Sequence, residues 1–64
     1  MKLLWNLDNT IAVAFKAIDS FNIIKRDEDT WCVQAWHHGT YSNVYIAETK
    51  GQCITFVDKM EDYL

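Results

Sequence analysis

Cys53, Phe56, Val57, Met60 and Leu64 stand at i, i+3, i+4, i+7 and i+11, which is one apolar stripe along a helix. Gln52, Thr55, Asp58, Lys59, Glu61 and Asp62 fall mostly off it. Thr49 precedes Gln52 by three residues, the spacing of a capping box, in which each side chain satisfies the other residue's backbone N–H. The pattern predicts an amphipathic helix over 51–64. A helix with one apolar stripe must lay it on something, and the residues before it supply a sheet.

Trp31–His37 and Val44–Glu48 are rich in β-formers, and the polar stretch 38–43 between them suits a hairpin loop. Alternation puts Trp31, Val33, Ala35 and His37 on one strand face and Cys32, Gln34, Trp36 and His38 on the other. On the second strand, Val44 and Ile46 oppose Tyr45 and Ala47. The small aliphatic set Val33, Ala35, Val44 and Ile46 is expected under the helix. Trp36, Tyr45 and residues from Phe15 to Ile23 then occupy the far face. A third strand, Phe21 to Lys25, is expected before the charged turn 26–29. That turn lacks the alternating oxygen ligands, central glycine and distal glutamate of a calcium loop.

Residues 10–19 read both ways. Ile11, Val13, Phe15 and Ala17 make a strand face; Ile11, Ala14, Phe15, Ile18 and Phe21 make a helical stripe that Asp8 or Asn9 could cap. The expected fold is α+β, with three or four antiparallel strands in a meander and the C-terminal helix on one face. The alternative adds an N-terminal helix over 9–20. Residues 1–64 read as one domain, since no proline-rich linker, repeat or low-complexity segment interrupts them.

Composition excludes several classes. Half of the 64 residues are hydrophobic, among them three Trp, three Tyr and three Phe, too apolar a mixture for disorder. No apolar run approaches the ~20 residues of a membrane span. The start, Met1-Lys2-Leu3-Leu4-Trp5, breaks at Asn6 and Asp8 before it resembles a signal peptide, so a cytoplasmic location is expected. The formal net charge of −3 argues against direct nucleic-acid binding, which depends on Lys and Arg. With no export signal, Cys32 and Cys53 are expected as buried reduced thiols.

The candidate chemistry is sparse. His37 and His38 with Cys32 and Cys53 have the ligand types of zinc but not its spacing, and adjacent strand residues point to opposite faces. Cys32 and His38 share a face but lie roughly 20 Å apart on a strand, too far for a nucleophile and its base. No phosphate-binding glycine loop or nucleophile elbow accompanies them. The expectation is no catalytic residue, no metal and no cofactor. Trp36, Tyr41, Tyr45 and Trp31 could stack nucleic-acid bases, but such platforms sit in basic grooves. The same aromatics serve as protein-interface anchors, which suits an acidic chain better.

Asn6-Leu7-Asp8-Asn9 after an apolar start, the Trp31-x-Val33-x-Ala35 strand, and Glu48-Thr49-Lys50-Gly51 before the final helix resemble short uncharacterised proteins of bacteria and their phages. The resemblance spans most of the chain and implies an early turn opening a sheet meander closed by one helix. It tips residues 10–19 toward strand and carries over no catalytic residues. The functional expectation is a non-enzymatic protein-binding module of bacterial or phage origin, homodimeric through the open sheet face, with Trp36, Tyr45, Tyr41 and Phe21 at the interface. The alternative is a small phage-type inhibitor of a host nucleic-acid-binding protein, using Asp27, Glu28, Asp29, Asp58, Glu61 and Asp62 as phosphate mimics.

Overall fold

A computed structural model describes residues 2–62. The chain runs β1 (Leu3–Trp5), β2 (Ala12–Ala14), a 3₁₀ turn (Phe15–Ala17), β3 (Ser20–Asp27), β4 (Thr30–His37), β5 (Thr40–Ala47) and α1 (Lys50–Glu61). Strands β3, β4 and β5 form an antiparallel meander with β4 in the centre, while β1 and β2 pair only with each other. This is the α+β arrangement expected from the sequence. No helix among the described residues is long and apolar enough to cross a membrane.

The helix begins where its chemistry dictates. Thr49 is the N-cap, its hydroxyl accepting from Gln52 N at 3.2 Å, and the Gln52 side chain accepts from Thr49 N at 3.2 Å. Two of the N–H groups that a helix start leaves unpaired are thereby satisfied. Cys53 on the stripe is fully buried, and Phe56, Val57 and Met60 pack against the same core. Leu64, expected to continue the stripe, lies outside the described residues.

Residues 10–19 resolve into a short strand followed by one 3₁₀ turn, and the helix over 9–20 does not form. Asn6 explains why. Its side-chain oxygen accepts from Thr10 N at 2.9 Å and Ile11 N at 3.2 Å, closing the loop between β1 and β2. Asn9, a candidate helix cap, instead turns the chain at φ 56°. A side chain that holds the backbone this way competes directly with helix formation.

Val13, Phe15 and Ile18 then join Val33, Ala35, Val44 and Cys53 in one buried core. Phe21 and Ile23 pack against that core too, so the apolar residues of the Phe15–Ile23 stretch face the helix side, and only Ser20 and Asn22 of it lie on the far face. The N-terminal segment shares the helix side of the sheet with α1.

The β4–β5 hairpin also departs from expectation. Its loop is the two-residue turn His38-Gly39, with φ 53° and 80°, not the six-residue stretch 38–43. Positive φ at both central residues matches the right-handed twist of the flanking strands. Farther along, Val33 pairs with Tyr45 while Gln34 pairs with Asn43, leaving Val44 as an extra residue in β5. Such a bulge shifts every later side chain to the other face. Tyr45 and Ala47 therefore lie on the helix side, and Ile46 opposes Cys32 on the far side. Tyr45 stacks on Phe56 with ring centroids 4.3 Å apart and planes within 10°.

Stability separates the two tyrosines of β5. Tyr45→Ala is expected to lower the unfolding free energy by about 2–3 kcal/mol, through lost burial and ring contact. Tyr41→Ala, at an exposed position, is expected to lower it by less than about 1 kcal/mol. Urea titrations of both variants read the difference directly.

Candidate protein-binding face

With α1 and the N-terminal segment on one side of β3–β5, cross-strand pairing builds the other side in three rows. Ile24, Cys32 and Ile46 make an apolar row; Asn22, Gln34 and Asn43 make an amide row; Ser20, Trp36 and Tyr41 make the third. None of these side chains carries a charge, although the chain has six basic and nine acidic residues. Ile24, Ile46 and Tyr41 are each more than a third exposed.

Trp36 and Tyr41 sit directly opposite, their rings tilted 45° with centroids 5.2 Å apart. The Trp36 indole N–H is buried and makes no hydrogen bond. An unpaired buried donor costs on the order of 1–3 kcal/mol. Cys32, flanked in its row by the two isoleucines, is nearly inaccessible, and its thiol donates to Asn43 Oδ1 at 3.4 Å. Burial pushes the Cys32 thiol up, Arg26 opposes that rise, and Cys53 adds to it. Burial alone pushes up Cys53.

The four residues expected at an interface are split by the sheet. Trp36 and Tyr41 belong to the open face; Tyr45 and Phe21 lie on the helix side and pack against the core. For Tyr45 the bulge at Val44 is the cause. For Phe21 it is the pairing with Ala35, whose side faces the helix. Trp31 is on the helix side as well, with Lys50 Nζ 5.8 Å from its ring centroid. The aromatics thus do not form one platform for stacked bases.

The polar groups considered for chemistry are dispersed. His37 Nε2 lies 3.1 Å from Ser42 Oγ, and His38 occupies the turn, its ring 6.3 Å from that of His37 and nearly perpendicular to it. Among the described residues no group of three or more His, Cys, Asp or Glu side chains comes together as a metal site. Both cysteines are free thiols, Cys32 on the open side of the sheet and Cys53 under the helix. Asp27 accepts from Asp29 N at 3.0 Å within its own turn. Asp29 and Glu48 line a shallow depression with Thr30 and Thr49. Asp58, Glu61 and Asp62 are exposed toward the other end of α1, roughly 12 Å or more along the helix from Lys50.

One surface was not foreseen. Leu3, Trp5, Leu7 and Ile11 are all more than two-fifths exposed on the β1–β2 hairpin. Period-two alternation with Leu4 and Val13 facing inward was the available signal. Among the described residues its strands are three residues long, so it is a smaller platform than the eight-residue strands of the larger sheet.

The fold defines a small α+β domain with one sheet face covered and one open. Comparisons with protein-family models, with curated proteins and with solved structures found no match.

The thiols give a direct test of the geometry. Both should react with a thiol reagent only as fast as the chain opens, and at once in denaturant. Because folding raises both values, the stabilisation from protonated thiols is complete below the ordinary thiol range and is lost as pH climbs through the raised values. Cys32→Ala combined with Cys53→Ala should flatten the alkaline limb of the stability–pH curve. Rapid native labelling of either cysteine contradicts the placement.

Proposed function

We propose that this chain is a non-enzymatic protein-binding module that associates with a second copy through the open face of β3–β5. The observation that carries the reading is the charge-free face of three rows in a chain otherwise rich in charge. Charge depletion at the centre of a patch, with Trp and Tyr present, is the composition of interface cores.

The face also suits itself. Asn side chains both donate and accept, so Asn22 and Asn43, which flank the buried Gln34 in the amide row, can pair with the same residues of another copy. A two-fold axis lying between two such faces sets amide against amide. It sets the apolar row either against its own copy or against the Trp36–Tyr41 row. Two chains of net charge −3 meet there with no like charges opposed within the rows. Three strands about 4.8 Å apart and five residues at about 3.4 Å give a footprint of roughly 14 by 17 Å. That is small for a stable interface, so association is weak and concentration-dependent.

Light scattering across a concentration range tests this. The average mass should rise above 7.5 kDa by high micromolar concentration, and a folded Trp36→Asp variant should associate at least tenfold more weakly. A strict monomer at high micromolar concentration contradicts the reading. So does a Trp36→Asp curve that superimposes on the original.

A further inference from the structure

The two edges of the larger sheet are not equivalent. On β5, Leu7 N donates to Asn43 O at 2.9 Å, and the bulge at Val44 interrupts the strand. On β3, among the described residues, no backbone hydrogen bond arrives from the outer side, and β4 is its sole partner strand. Its own irregularity falls between Lys25 and Asp27, so the backbone from Ser20 to Lys25 is a regular, open edge. Open edges of this kind are templates for another strand.

The side chains choose the partner and the register. When β3 meets a second β3 antiparallel about a two-fold axis, residue i faces residue 2c − i, where c is the central residue. Centring on Asn22 sets Phe21 against Ile23 on the helix side in both halves. It also brings Asp19, the residue just before the strand, whose N–H is held by Trp36 O, beside Lys25 of the other chain. Centring on Ile23 instead opposes Lys25 to Phe21 and Asp19 to Asp27, a like-charge contact. Centring on Phe21 sets Asp19 against Ile23 and Lys16 against Arg26, which leaves no opposite-charge pair and adds a like-charge one. Asp19 and Lys25 are both exposed, while Phe21 and Ile23 are only partly buried against the core, leaving apolar edge for a partner to cover.

We infer that β3 is a self-pairing edge, joining two copies antiparallel about Asn22 into one continuous six-stranded sheet. Opposite-charge cross-strand pairs favour that register and like charges oppose the alternative. Edge pairing uses backbone groups and does not rest on the open-face reading. Its two-fold axis is normal to the sheet, whereas that of the face contact lies parallel to it, so the two contacts are geometrically distinct.

Amide hydrogen exchange of the full chain, followed by NMR at low-micromolar and near-millimolar concentration, tests this. Alternate amides between Ser20 and Ile24, those pointing away from β4, should become protected as concentration rises. Lys25→Asp places two aspartate pairs at the junction and should weaken association roughly tenfold, removing that protection. Asp19→Lys should do the same, and Asp19→Lys with Lys25→Asp should restore it. Outer-edge amides that exchange equally fast at both concentrations in the unaltered chain overturn the inference. A folded double variant that stays unprotected overturns it as well.

Discussion

One extra residue in β5 organises this molecule. Were the hairpin regular from its His38-Gly39 turn onward, Val44 would oppose Val33, and Tyr45 would oppose Cys32 on the open side. The bulge moves Tyr45 and Ala47 beneath the helix while Val44 stays buried in the core. The helix side thus gains a large ring, which Phe56 meets face to face. A small chain has few contacts with which to hold a helix, and a stacked aromatic pair adds to plain area burial.

The same shift decides what is left outside. Ile46 takes the position opposite Cys32 that Tyr45 would have held, completing an apolar row beside the amide row. Lys25, Lys50 and the carboxylates of the 27–29 turn stay off these rows. The helix and the N-terminal segment both lie on the other side, so nothing in the described chain covers this face. The outcome is a two-sided sheet, one side closed by the chain's own aromatics and the other presenting three uncharged rows. An open β3 edge adjoins it.

Much of this was readable in the residues. The stripe through Cys53, Phe56, Val57 and Met60 and the Thr49–Gln52 box are local patterns, each complete within a few turns of chain, and both are realised. The strands at Phe21–Lys25 and Trp31–His37 were legible for the same reason, through β-branched and aromatic runs. The bulge was not, because it depends on which residues of β4 the strand meets and leaves no mark in β5 composition. Trp36 was placed rightly on the far face by the alternation of β4; Tyr41, expected in the hairpin loop, joins β5 before the bulge, whereas Tyr45 lies after it. Residues 10–19 balanced two periodicities, and the tie was broken by the Asn6 side chain, acting from outside the window in which periodicity is counted.

The most direct test of this account is the set of NOEs from the Tyr45 ring. Cross-peaks to the Phe56 ring and to the Val33 methyl groups are expected. Cross-peaks from Tyr45 to Ile24 and to the Cys32 β-protons, with none to Phe56, would put the ring on the open face and contradict it.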